Sequence, residues 1–112
     1  MTDSLEEIFR LQKQYHDTFI RDNDRYPNTR DGRVDKLAQA IIQEAAELQR
    51  LTNWKWWKEP KPLNLPEARE ELIDILHFLV DAAMELDMDA EQLFIEYRKK
   101  MQINIKRQEE GY

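Results

Sequence analysis

Two short acidic stretches, Glu44-Ala45-Ala46-Glu47 and Glu71-Leu72-Ile73-Asp74, each set two carboxylates three residues apart in a strongly helical context. Positions i and i+3 share one face of a helix, so each stretch presents its pair side by side. Four such groups aimed at one another repel unless a cation lies between them, and hard divalent ions such as Mg²⁺ are bound by carboxylate oxygens of this kind. A metal cage spanning two helices is the chemistry this pattern suggests. Ordinary solvated glutamates are the plainer alternative in a chain with 23 acidic residues.

The bulk properties narrow what such a cage can serve. At 112 residues the chain is expected to form one domain, residues 1–112, with a core small enough that packing against a second copy would help it. Charged residues make up 36%, above the roughly 25% of typical globular proteins, and there are only two glycines. That composition is all-helical. A net charge of −6 argues against a phosphate-tracking nucleic-acid binder, and against a tight site for a free nucleotide unless metal ions reverse the local field. Without cysteine there is neither a disulfide framework nor a thiolate ligand or nucleophile. The start Met1-Thr2-Asp3-Ser4 has no basic or apolar leader, and no apolar run approaches membrane-spanning length, so a cytoplasmic protein is expected.

Four helices must position the acids. The first is expected to start at Ser4, with Glu7 completing a capping box, and to run to about Asp22 with Leu5, Ile8, Phe9, Tyr15, Phe19 and Ile20 on its apolar face. Helical spacing calls for a core residue at position 12, where the sequence supplies Gln12. A buried amide must find several hydrogen-bond partners, so Gln12 either bonds backbone at the core edge or faces a polar ligand such as a nucleobase. The stretch from Asp22 to Gly32 reads as a loop. The second helix is expected from about Asp31 or Arg33 to Leu51, with Val34, Leu37, Ala38, Ile41, Ala45 and Leu48 in its stripe and Glu44 at the stripe's margin.

Between Thr52 and Pro66 the pattern breaks. Asn53-Trp54-Lys55-Trp56-Trp57-Lys58 gathers all three tryptophans, and Pro60, Pro62 and Pro66 prevent a continuous helix. Packing over the helices is expected for at least two of the indoles, while lysines interleaved with them suit approach to a polyphosphate or a base. The third helix is expected from Asn64, its cap, to about Asp87, with Leu72, Ile75, Leu76, Leu79, Ala83 and Leu86 as its core stripe. Glu71 and Asp74 share a different face with Phe78 and Asp81, which suggests that this face is covered by a ligand or another subunit. His77 reads as a packed or hydrogen-bonded residue. Asp89 opens the fourth helix, which should run to about Arg107 with Leu93, Phe94, Tyr97 and Met101 inward. Asn104 continues that face between Lys100 and Arg107, a plausible recognition group for base, sugar or phosphate.

Taken together, the acid pairs resemble the metal motif of the all-α nucleotide pyrophosphatases, which include the MazG-like proteins. Trp54-Lys55-Trp56-Trp57-Lys58, Glu71-Leu-Ile-Asp74-Ile-Leu-His77-Phe78 and Lys100-x-x-x-Asn104-x-x-Arg107-Gln108-x-x-Gly111-Tyr112, together with Gln12, resemble the dimeric, all-helical dUTPases. The resemblance implies an all-α homodimer of four main antiparallel helices that hydrolyses dUTP to dUMP and pyrophosphate. It implies that Glu44, Glu47, Glu71 and Asp74 hold Mg²⁺, with Glu44 orienting or deprotonating the attacking water. By the same resemblance Gln12 and Asn104 contact uracil or deoxyribose, Lys58, Lys100 and Arg107 contact phosphates, and Trp57 or Phe78 walls the base pocket. The compact second connection and His16, where family members often carry Asn, depart from the pattern.

Two other readings stand beside this one: a MazG-like pyrophosphatase of other or broader nucleotide specificity, and a non-catalytic helical partner-binding module whose carboxylates are surface charges. The cage makes a prediction that separates it from the last. Glu47→Gln or Asp74→Asn should abolish turnover while leaving the fold intact, and should hold or raise the melting temperature in EDTA, because converging acids repel without a cation. A large loss of stability in EDTA would contradict convergence.

Overall fold

Four polar residues start four helices. In the computed structural model, which describes residues 3–111, these are α1 (Ser4–Phe19), α2 (Arg30–Arg50), α3 (Leu65–Glu85) and α4 (Ala90–Glu109). Met1, Thr2 and Tyr112, the last of which ends the C-terminal motif, lie outside the described residues. Asn64 accepts the Glu67 backbone N–H at 3.1 Å and Asp89 accepts that of Gln92 at 2.8 Å, as expected of side-chain caps. The cap of α1 is Asp3 rather than Ser4, its carboxylate taking the Leu5 N–H at 2.9 Å. Thr29 caps α2 through the Gly32 N–H at 3.0 Å, and a Cβ at Gly32 would crowd that hydroxyl at 3.0 Å and the Pro27 Cβ at 3.3 Å. The first helix stops at Phe19, short of Asp22, because the chain then folds through successive turns, Asn23 N–H to Ile20 and Tyr26 N–H to Asn23.

The protein is all-α, with no strand among the described residues. The α2–α3 pair is antiparallel. Arg33 near the start of α2 pairs with Glu85 at the end of α3 at 2.8 Å, while Glu44 and Glu47 further along α2 meet Glu71 near the start of α3. α1 crosses the C-terminal half of α3 and touches the start of α4, and the core gathers there: Phe9, Val80, Ala83 and Ala90, flanked by Leu5, Ile8, Leu76, Met84, Met88 and Leu93. Val80, absent from the expected stripe, is 0% exposed. It is the residue of α3 that faces α1, whereas the stripe from Leu72 to Leu86 follows a single line along a helix that is packed on two sides.

Much of the expected core is not covered within one chain. Tyr15, Phe19, Leu72, Leu86, Phe94 and Tyr97 are all exposed. The outer length of α4 stands clear of the other helices, and the radius of gyration is 17.3 Å against about 13 Å for a compact chain of this length. The tryptophans also depart from expectation. Instead of covering the helices they stack edge-to-face on one another, with ring centres 5.7 and 6.0 Å apart, and Trp56 is 84% exposed. Asn53 closes their loop by bonding both the N–H and the carbonyl of Lys61 at 2.9 Å, which holds the indoles away from the bundle. No helix among the described residues is long and apolar enough to cross a membrane.

The α3–α4 junction depends on one left-handed residue. Asp87 has φ 62°, which lets the Met88 N–H reach the Ala83 carbonyl at 2.9 Å and the Asp87 N–H reach that of Met84 at 3.1 Å. This is a Schellman closure with aspartate where glycine is usual. Asp87→Gly should therefore be neutral or stabilising by at most about 1 kcal/mol, while Asp87→Val should cost about 1–2 kcal/mol because Cβ crowds the left-handed conformation. Urea unfolding of the two variants checks this, and equal effects would contradict it.

Candidate active site

The α2–α3 pairing converts two linear motifs into one cluster. Glu44, Glu47 and Glu71 each place a carboxylate oxygen within 4.8 Å of the others. One oxygen of Glu44 and one of Glu71 are shut off from solvent and have no hydrogen-bond partner. Such atoms are costly to leave unsatisfied. A hard divalent cation fits this donor set, since it takes oxygen ligands and compensates the crowded charge. Asp74 is not part of this tight trio, but its charge is felt at Glu44, and it lines the same cavity as Glu44.

Electrostatics record the crowding. Glu71 is pushed up to about 7, first by the adjacent Glu44 carboxylate, then by desolvation and by Glu47. For Glu44, the hydrogen bond from Glu71 lowers the value, but desolvation, Glu47 and Asp74 outweigh it and leave it raised. Two carboxylates at one site cannot both ionise freely at neutral pH.

A cavity of about 950 Å³ opens beside the cluster. Glu44 and Asp74 are in its wall, and from Asp74 the same face of α3 continues through His77, Phe78 and Asp81. Across from it stand Ile8, Leu11, Gln12 and Tyr15 of α1, and the Tyr26-Pro27 corner of the first loop. Apolar walls with a few convergent polar groups are the usual character of a small-molecule site. Arg33 fixes the Tyr26-Pro27 corner. Besides its ion pair with Glu85, it donates to the Pro27 carbonyl at 3.3 Å and lies 5.9 Å from the Tyr26 ring centre. Tyr26 in turn has its hydroxyl 3.2 Å from His16 Nε2.

Gln12 is buried, at 7% exposure, but its partners are side chains of α3 rather than backbone. Its Nε2 donates to Asp81 at 2.9 Å, and its Oε1 accepts from His77 Nδ1 at 2.7 Å. The bond fixes the proton on Nδ1, because an amide oxygen can only accept. Burial raises Asp81 above the usual carboxylate range, opposed by the Gln12 amide and by His16 and His77. His77 is therefore a hydrogen-bonded residue, as expected from sequence.

The structure thus brings Gln12, Phe78, Glu44 and Asp74 to one cavity and Glu47 and Glu71 to its edge. It does not bring the other expected contacts there. Trp57 and Lys58 sit in the exposed loop, and Lys100, Asn104 and Arg107 lie on the outer length of α4, away from the cavity. Tyr26, Arg33 and Lys36 line the cavity and were not singled out from sequence, whereas Asp81 was placed on the acid-bearing face of α3 but given no role of its own.

An all-α chain with paired acids on adjacent helices is the class this geometry defines, and comparison with known proteins agrees. A dUTPase family model matches residues 4–92, so the chain belongs to that all-α dUTPase family. The match ends before Lys100, Asn104 and Arg107. The chain is also 35% identical over 71 residues to a dCTP pyrophosphatase of Enterobacteria phage T4, an overlap of 53% of this chain. The overlap takes in only 42% of that protein's length. No solved structure matches significantly.

The raised Glu71 value has a measurable sign. Folding raises Glu71 from 4.5 to about 7, so the folded chain keeps a proton that the unfolded chain releases. Stability from this group is full below the unfolded value and is lost as pH rises through the folded one. In metal-free buffer the melting temperature should fall between about pH 5 and about pH 8, and Glu71→Gln should flatten that fall. An unchanged slope in the variant would contradict the raised Glu71 value.

Proposed function

We propose that this protein is a divalent-metal-dependent pyrophosphohydrolase of pyrimidine deoxynucleoside triphosphates, with dUTP as its substrate and dUMP and pyrophosphate as products. The observation that carries the reading is the single cavity whose wall holds both the edge of the carboxylate cluster, through Glu44 and Asp74, and a buried amide, Gln12. One end suits the phosphates of a nucleotide and the other its base.

Glu44, Glu47, Glu71 and Asp74 are the residues that would hold Mg²⁺. When bound, that ion would lower the pKa of a nearby water and neutralise charge on the phosphate oxygens. Glu44 belongs to the cluster and to the cavity wall at once, which supports assigning to its carboxylate the task of orienting or deprotonating the attacking water. Phe78 offers a flat apolar wall for the base, and Gln12 offers an amide to its edge. Family resemblance adds Trp57 and Asn104 at the base or sugar and Lys58, Lys100 and Arg107 at the phosphates. Those five need the exposed loop and the outer part of α4 to close over the nucleotide.

A homodimer belongs to the same proposal. The apolar residues left open along α1, α3 and α4, and the expanded shape of one chain, are what a helical protomer shows when part of its core is completed by its partner. A second reading of the substrate has its own support: the phage relative is a dCTP pyrophosphatase, so dCTP is the alternative nucleotide.

Pyrophosphate release from dUTP, dCTP, dTTP and UTP, with Mg²⁺ and with EDTA, tests the proposal. Mg²⁺-dependent turnover with the highest kcat/KM for dUTP is the expected result, and Glu44→Gln should lower kcat by more than about 100-fold. A higher kcat/KM for dCTP would select the second reading. Absence of turnover with all four would overturn both.

A further inference from the structure

Gln12 is held from both sides by groups of opposite hydrogen-bond character, and both come from one face of α3, four residues apart. The Asp81 carboxylate, 2.9 Å from Nε2, accepts from it. His77 Nδ1, 2.7 Å from Oε1, is the donor in this arrangement. Turning the amide over would set its oxygen against the carboxylate and lose that bond in a buried place, whereas the neutral imidazole can move its proton to the other nitrogen and keep its own. The sense of the amide is therefore fixed, with one N–H and one oxygen lone pair left uncommitted.

Uracil and cytosine differ in the sense of the edge they present. Uracil has an N3–H donor beside the O4 acceptor, and cytosine has an N3 acceptor beside the N4 amino donor. An amide free to turn can pair with either edge, whereas an amide held one way can match only one of them at a given position of the ring. We propose that Asp81 acts as a positioning residue that fixes the sense of the Gln12 amide and so sets which pyrimidine the cavity accepts. This rests on the nucleotide reading above and deepens it, since the choice between dUTP and dCTP passes to a residue that need not touch the base. A site that leaves buried polar groups unpaired with the wrong substrate discriminates strongly, so an amide of fixed sense suffices to separate two isosteric bases.

Asp81→Asn keeps shape and hydrogen bonding but removes the constraint, because two facing amides can turn together and remain bonded in either sense. The test is kcat/KM for dUTP and for dCTP in the wild type and in Asp81→Asn, with the Mg²⁺-induced change in melting temperature measured on both proteins. The expected result is a clear preference in the wild type that shrinks at least tenfold in the variant through a gain on the disfavoured nucleotide. The Mg²⁺ shift should be unchanged. Asp81→Ser, whose hydroxyl can donate or accept, should shrink the preference too, and it decides the matter if Asp81→Asn does not fold. Loss of kcat/KM by the same factor on both nucleotides, an unchanged ratio, or a wild type without preference would overturn the proposal while leaving the pyrophosphohydrolase reading in place. A wild type that turns over neither nucleotide would overturn both.

Discussion

Everything in this structure turns on holding like charges together. Glu44, Glu47 and Glu71 converge within 4.8 Å, Asp74 stands close by, and two of the carboxylate oxygens lack any partner. Such a cluster repels itself in the absence of a cation, so its assembly has to be imposed by something else. The antiparallel α2–α3 pair imposes it. Arg33 and Glu85 pin the pair at one end, and the junction at Asp87 delivers α4 so that Ala90 and Leu93 close the core around Phe9 and Val80. The buried core thus lies at the end away from the acids.

The same helix serves both ends of the cavity. α3 contributes Glu71 and Asp74 to the acid cluster and, one and two turns later, His77, Phe78 and Asp81 to the pocket that meets Gln12. On the proposed reading, a metal held at the acids and a base held at Gln12 would be in fixed register along one rigid element, which is how a helix can set the separation of a nucleotide's phosphates and base. The first loop completes the pocket through Tyr26 and Pro27, and Arg33 ties that corner to the same ion pair that aligns α2 with α3.

What could be read from the residues alone follows from how local each signal is. Caps at Asn64 and Asp89 are local and were legible, and the acid pairs were legible because i and i+3 need only a helix. Asp3 was missed because Ser4 with Glu7 imitates a capping box one position later. Val80 was missed because a single stripe describes one packed face, while α3 has two. Tyr15, Phe19 and Tyr97 were placed inward because periodicity says that a face needs covering, not which chain covers it. The partners of Gln12 lie 65 and 69 residues away on another helix, beyond any local pattern. Trp57, Lys58, Lys100, Asn104 and Arg107 carry a family resemblance but no contact with the cavity in a single chain.

The measurement closest to the central claim is direct cation binding by the α2–α3 carboxylates. Calorimetric titration of the metal-free protein with Mg²⁺ and with Mn²⁺, compared with Glu44→Gln and Glu71→Gln of unchanged helical circular dichroism, isolates it from any question of substrate. Saturable binding by the wild type that is lost or weakened at least about tenfold in each variant is the result the account predicts. Wild-type protein that binds neither ion, or variants that bind as tightly as the wild type, would contradict it.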